Sequence, residues 1–364
     1  MAADVHMIDM RASAGRPNLV RLRRLLKKAG LRGVIERGDL VAVKLSFGEL
    51  GNVGFIQPPF VRTVVEEVLR LGGRPVLMDS NTLYAGSRSN AYDSLVTALK
   101  NGFSYATVGA PVHILDGLVG RDFREVSVPG ILYDRVKIGT GLLDADALIS
   151  LAHFKGHMLA GFGGQIKNLS MGGAPRSGKQ MMHSDVKPEV HVDRCAACGR
   201  CARWCPAEAI SVDTYAVIDP ERCIGCGECT VTCTRDAIEV SWESEAGVVQ
   251  QKMAEFALGA LAGKEGKFLG VSFVMRVTPD CDCANWSDAP IVPDVGILAG
   301  TDPVALDQAA YELVNQQEGI ASSALGTKGV AAEDKFAHIH KLDPSVQLEH
   351  GRAVGLGTRD YRLA

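Results

Sequence analysis

From Leu40 the chain runs apolar almost without interruption, Leu40-Val41-Ala42-Val43-Lys44-Leu45, as a strand buried on both faces does. Pro58 to Leu71 follows with helical spacing; Pro58 and Pro59 suit its first turn and Gly72-Gly73 its end. The pattern next predicts a strand over Pro75 to Met78, a helix near Tyr92 to Asn101 and a strand near Val112 to Leu115. A short helix after Gly141 and a strand near Ala147 to Leu151 complete this part. A cysteine-rich stretch breaks the rhythm, which resumes with a helix near Val248 to Leu261, strands near Phe268 to Met275 and Val295 to Ala299, and a helix from Pro303 to Gln316. Thr301 is expected to cap that last helix, with Asp302 favoured by its dipole. Asp343-Pro344 marks a further helix start, and Tyr361-Arg362-Leu363 a final edge strand. The alternation predicts an α/β fold, a largely parallel or mixed sheet with flanking helices. Residues 189–242 read as a small α+β insert between a first host part, 1–188, and a second, 243–364. The host is large enough for either one body or two lobes.

Charge narrows the partners. The 364 residues carry a formal charge of −3 with 22% charged side chains, so no basic field draws the chain to nucleic acid or to an anionic membrane. Met1 to Arg11 holds Asp4 and Asp9 but no apolar leader core, and no stretch reaches the roughly 18 apolar residues of a membrane helix. Cytoplasm is the expected location. In that reducing compartment, ten cysteines point to metal binding or redox chemistry rather than structural disulfides.

Eight of the ten form a repeat. Cys195-Ala196-Ala197-Cys198-Gly199-Arg200-Cys201 is echoed 28 residues later by Cys223-Ile224-Gly225-Cys226-Gly227-Glu228-Cys229, and the echo extends from Cys205 to Cys233 and from Ala209-Ile210 to Ala237-Ile238. Each half has the spacing C-x2-C-x2-C-x3-C, which wraps three thiolates around one [4Fe–4S] cluster and sends the fourth to the other. The expected ligand sets are Cys195, Cys198, Cys201 and Cys233 for one cluster, and Cys223, Cys226, Cys229 and Cys205 for the second. Gly199 and Gly227 sit where a positive φ lets amides face cluster sulfurs, and Ile210 and Ile238 would shield the clusters from water. A pair of zinc sites is the competing reading, disfavoured by the duplicated four-cysteine run.

Over about fifty residues this stretch resembles the bacterial two-cluster ferredoxins. The resemblance implies two pseudo-symmetric clusters close enough for fast electron exchange, and redox proteins as partners. One departure is visible: the first run ends Cys205-Pro206, the second Cys233-Thr234.

The host carries polar segments of its own. His153-Phe154-Lys155-Gly156-His157, then Gly161-Phe162-Gly163-Gly164-Gln165-Ile166-Lys167-Asn168, follows a predicted strand, where open α/β sheets bind ligands. Cys281-Asp282-Cys283 would project two sulfurs to one side of an extended chain; metal or cluster ligation, a dithiol or disulfide pair, and unreacted thiols all fit it. If the two segments meet, Cys281, Cys283, His153 and His157 form a third, mixed sulfur and nitrogen site suited to zinc or iron. Gly173 to Gln180 imitates a phosphate loop, but Gln180 replaces the magnesium-binding hydroxyl and no strand precedes it. Lys44 is either a buried functional amine or emerges at its strand's end. Asp79, Asn81 and Thr82 either line the same crevice or cap a loop.

The stretch His153 to Gly172, the Cys281-Asp282-Cys283 element, and Asp294 to Leu298 leading to Asp302-Pro303-Val304-Ala305 are similar to the family called domain of unknown function 362. That resemblance implies an iron–sulfur protein of prokaryotic cytoplasm and no substrate. Three functions follow. The leading one is a ferredoxin-like electron carrier. The second is a cluster-linked reductase or metal-dependent enzyme in which Lys155, Lys167 and His183 meet a small anionic substrate. The third is a redox sensor or assembly factor. No flavin or nicotinamide fingerprint is readable, and the oligomeric state has no signature.

Overall fold

A computed structural model describes residues 2–84, 86–183, 188–205, 207–223, 228–239 and 246–364. Eight strands form its central sheet: β1 (Ala3–Asp9), β2 (Leu40–Lys44), β3 (Arg74–Asp79), β4 (Val112–Ile114), β5 (Ala147–His153), β6 (Phe268–Val274), β7 (Gly296–Gly300) and β8 (Tyr361–Leu363). Their order is β8-β1-β7-β6-β5-β2-β3-β4. All neighbours run parallel except β7, which is antiparallel to both β1 and β6. The pairing of β5 with β6, Phe268 opposite Leu148, joins chain from either side of the cysteine-rich stretch. The two host stretches therefore share one sheet and do not form separate lobes.

Strand alternation sorts the core into two layers. On one face Val41 and Val43 of β2, Ile149 and Leu151 of β5, and Val271 and Phe273 of β6 pack under three helices. These are α1 (Asn18–Lys28), α2 (Pro58–Leu71) and α3 (Ala91–Lys100). On the other face Ala42, Leu148 and Val274 lie under α4 (Gln165–Ser170), α6 (Ala246–Ala260) and α7 (Pro303–Asn315). An eight-residue helix, α5 (Arg176–His183), sits beside α6. Among the described residues no helix is long and apolar enough to cross a membrane.

The sequence reading differs from this fold in instructive places. It does not include β1, which lies next to the edge and has Val5 as its one buried residue, or α1, an amphipathic helix with basic residues between Leu22, Leu25 and Leu26. The cap of α7 is Asp302, not Thr301: the Asp302 carboxylate accepts from the Ala305 N–H at 2.9 Å and from Thr358 N–H at 2.9 Å. The C-terminal strand does lie at the edge, parallel to β1.

Parallel strands end on one side of a sheet. The last residues of β2, β3 and β5 are Lys44, Asp79 and His153, so the polar segments meet along one carboxyl edge, the place where open α/β sheets bind ligands.

Candidate metal centre

Beyond His153 the chain breaks its strand at Phe154 and continues as a hairpin, Lys155–His157 against Gly161–Gly163. Gly156 lets that hairpin press on the loop before the cysteines: its N–H donates to Thr278 O at 2.8 Å, and a Cβ there would stand 2.0 Å from Pro279 O. This approach delivers His157 to the cysteine pair. Cys281 to Ala284 is a turn closed by a 3.0 Å hydrogen bond, not the extended chain expected, yet both sulfurs still project together. The ligand atoms of His157, Cys281 and Cys283 all lie within 4.8 Å of one another. His157 and Cys281 are buried and Cys283 half-buried, and all three line a cavity of about 530 Å³.

His153 does not join them. Asp282 accepts from His153 Nδ1 at 2.9 Å, while His153 Nε2 meets the Met275 and Arg276 carbonyls at 3.0 and 3.2 Å. Both ring nitrogens are occupied by protein, so the expected four-ligand set loses His153, which instead positions the residue between the two cysteines.

Charge around the triad favours thiolate. The two thiols are free and hydrogen-bond each other, an arrangement that drives Cys281 well below the ordinary thiol range and Cys283 well above it, so the pair shares one proton. Lys167 Nζ donates to Cys281 Sγ at 3.2 Å; burial opposes its charge, but the two sulfurs outweigh burial and raise its pKa. Lys155 Nζ lies 3.6 Å from Asp282 Oδ2. Burial first, and then the cations Lys167 and Lys155, push His157 well below its usual value, leaving the imidazole neutral. Its Nδ1 lies 3.2 Å from both the Leu159 and the Ala160 amide nitrogen.

A buried ion network forms the opposite wall. Lys44 is fully buried rather than emerging: its Nζ donates to Asp79 Oδ1 at 3.1 Å and to Asn168 Oδ1 at 3.0 Å. Arg88 donates to Asp79 Oδ2 at 3.0 Å and to Glu49 Oε2 at 3.3 Å. Burial raises the Asp79 carboxyl, yet its two cations prevail and hold it low. Tyr84 links this network to the cysteine turn by donating to Cys283 O at 2.8 Å. Of the loop residues considered above, Thr82 lines the cavity with Asp79, whereas Asn81 is spent on Asp116 and Gly117.

Helix α4 supplies Lys167 and Asn168, and its start is clamped by Asp307, which accepts from the Gln165 and Ile166 amides at 2.6 and 2.9 Å. Helix α5 supplies Lys179 and His183. Lys179 Nζ donates to Ser80 Oγ at 2.7 Å and to Ala174 O at 2.6 Å, and burial lowers it to about 8 against the pull of Asp116. Burial, with Lys167 and Lys179 beyond it, takes His183 down to about 3. Lys155, Lys167 and His183 thus all line the cavity. Arg88, Glu49 and Tyr84 have no signal in the sequence because they come from loops without any ligand spacing, and Lys179 stands out there only as the lysine of the discounted phosphate-loop pattern.

The cysteine-rich stretch is a small α+β arrangement with two short antiparallel pairs, 210–212 with 216–218 and 189–190 with 238–239. Cys195, Cys198, Cys201, Cys233 and Ile238 line one small pocket. The repeat recurs in its hydrogen bonds: Ala209 N–H donates to Cys205 Sγ at 3.2 Å and Ala237 N–H to Cys233 Sγ at 3.3 Å. Gly199 takes φ +69° ahead of the helical turn Arg200–Arg203. Cys229 and Ile238 are buried, Ile210 and Cys223 half-buried, and Cys198 exposed. Cys226, Gly227 and Pro206 lie outside the described residues, as does Trp242 at the insert's expected end.

The profile of the family described as "Domain of unknown function (DUF362)" matches residues 41–312, well over half of the chain. The protein belongs to the DUF362 family. The match spans β2 to α7 and so includes every cavity residue named above. No curated protein matches the sequence. Among solved structures, the lactate racemase apoprotein from Thermoanaerobacterium thermosaccharolyticum aligns at TM-score 0.35 and 11% identity, over 74% of this chain and 51% of that one. A structural-genomics target from Thermotoga maritima aligns at TM-score 0.42 and 11% identity, over 82% of this chain and 58% of that one. The DUF362 chain therefore spans about half the length of the racemase and somewhat more of the other protein.

Proposed function

We propose that this DUF362 protein is an iron–sulfur oxidoreductase, with two [4Fe–4S] clusters in the cysteine-rich stretch and a metal ion at His157, Cys281 and Cys283. The observation that carries the reading is the convergence of those three ligand atoms within 4.8 Å on a cavity of about 530 Å³. A cavity of this size accommodates a small molecule. A pure electron carrier has no use for one beside a metal site.

The cysteine stretch fits its cofactor. Four thiols line one pocket, and amides donate to cysteine sulfurs at equivalent positions of both repeats. A single tetrahedral zinc would draw its sulfurs to about 3.8 Å from one another. Among the described residues no three of these thiols come as close together as the cavity triad does. The clusters supply one-electron transfer when bound. In the cavity, two thiolates and one imidazole suit zinc or iron and leave a coordination position for a substrate atom.

The chain's own residues then define the substrate. Lys155, Lys167 and Lys179 face the cavity, so the molecule bound there is a small anion, oriented by these amines. Burial and the neighbouring lysines keep His183 neutral at physiological pH, so its ring can take part in a hydrogen bond to that molecule but not carry a proton from it. The exposed position of Cys198 supports a second reading, electron carriage between partner proteins, because it brings one cluster's rim to the surface.

Anaerobic metal and sulfide analysis of the full chain separates these. About eight iron and eight sulfide account for two clusters. One further iron or zinc, absent from a Cys281→Ser variant whose cluster spectrum is unchanged, establishes the cavity metal. Eight iron and no other metal in the intact protein would overturn it and leave the carrier.

A further inference from the structure

A second, larger cleft of about 800 Å³ lies where the cysteine-rich stretch meets the sheet domain. Its walls bring together Arg121 from the loop after β4, Arg176 from the first turn of α5, and Arg200 and Arg203 from the helical turn between Cys198 and Cys205. Three separate chain segments thus aim guanidinium groups at one concave space. Asp236 is the one carboxylate among the described lining residues. Arg176, Arg200 and Arg203 form no ion pair with any described residue, and the Arg176 Nε is buried without a hydrogen-bond partner. Arg176 keeps one bond, to Leu83 O at 3.2 Å; burial lowers its affinity for its proton, Asp236 and Asp116 oppose that from a distance, and Arg121 adds a smaller repulsion. Like charges gathered around one cleft are stabilised by an anion among them.

The same wall carries Trp204, 53% exposed, with the Arg121 guanidinium 5.2 Å from its ring centroid. Arg121 also donates to Thr232 Oγ1 at 3.0 Å, one residue before Cys233, so its fork is anchored to the segment that holds the thiol. Planar guanidinium forks match phosphate oxygens two at a time. An exposed indole offers a π-face for a planar ring. Four arginines exceed what one phosphate needs, and the volume exceeds what a bare polyphosphate fills.

We propose that this cleft binds a nucleoside polyphosphate, with its phosphates on the four arginines and its base against Trp204. The binding mode is not that of a phosphate loop. Gly173 to Gln180 contributes Arg176 to the cleft, while Lys179, which would be the loop's lysine, faces the other cavity. An acidic protein is disfavoured because the guanidiniums line a concavity instead of spreading over a flat face. The proposal does not depend on what fills the cysteine pockets. It does set the ligand beside Cys233.

The test is calorimetric titration of the intact, anaerobically purified protein with ADP, with pyrophosphate and with adenosine. ADP is expected to bind more tightly than pyrophosphate, and adenosine not measurably. Arg200→Gln with Arg203→Gln, both at exposed positions, is expected to weaken ADP by about tenfold or more. Trp204→Ala is expected to weaken ADP and leave pyrophosphate unchanged. An unaltered visible spectrum checks that these variants keep the cysteine stretch intact. Absence of ADP binding, or ADP binding that survives the double arginine variant, overturns the proposal. Equal binding of ADP and pyrophosphate, with Trp204→Ala silent, overturns the nucleoside and assigns the cleft to free polyphosphate.

Discussion

The two cysteine-bearing regions are built on opposite plans. In the cysteine-rich stretch, the described residues that form a buried cluster are Cys201, Ala216, Cys229 and Ile238, so the thiols themselves make up half of the core. At the cavity, two thiols are set into walls already made rigid by Lys44, Asp79, Arg88 and Asp307. If the proposed clusters are bound there, they complete the interior of the first region. The second holds its three side chains in place through protein contacts alone, so the proposed metal would be an addition.

Stripping iron and sulfide is the strongest way to break this contrast. Amide hydrogen exchange over residues 190–239 is expected to lose its protection, while β2, β5 and β6 exchange as before. Protection that persists in the stripped stretch would show that its small apolar cluster suffices, and the contrast would fail.

Next in size, Asp79→Ala leaves Lys44 and Arg88 buried without their shared carboxylate. The expected cost is about 3–5 kcal/mol, read from the urea midpoint with an unchanged slope. A loss below about 1 kcal/mol would mean that the network only borders the cavity and does not hold it together.

The effect that is smallest per unit of change is a pH dependence. His183 titrates near 3 in the folded chain and near 6.5 when unfolded, so below about 6.5 the unfolded state binds a proton that the folded state refuses. Stability is therefore lost as pH falls from about 6.5 towards 3, by at most about 1.4 kcal/mol per unit for this one group. His183→Gln is expected to flatten that part of the profile; an unchanged slope would place His183 in contact with water.

What was legible in the sequence follows the same division. The sheet and most helices were readable because each strand is a short apolar run between turn residues, and Pro58 and Gly72 mark the ends of α2 through their own backbone limits. The cysteine repeat was readable because its thiols come at fixed spacing from two short segments. The cavity triad was half readable. His157 and the cysteine pair stood out as chemistry, but their meeting depends on Gly156 backing onto Pro279, a contact across more than a hundred residues that no local pattern records. His153 was misassigned for the same reason, since its partner Asp282 lies 129 positions away. Arg88 and Glu49 had no signal, because an ion network in loops has no period.

Arg176, Lys179 and His183 fall at i, i+3 and i+7 of α5, a single stripe along about 10 Å of helix. Arg176 is at the cleft; Lys179 and His183 are at the cavity. At that spacing one unit of negative charge at the first position lowers the energy of a proton at the last by on the order of 1–2 kcal/mol. The stripe would then act as a ruler: an anion bound at the cleft would reach the cavity as a change in acidity, without a movement of the backbone.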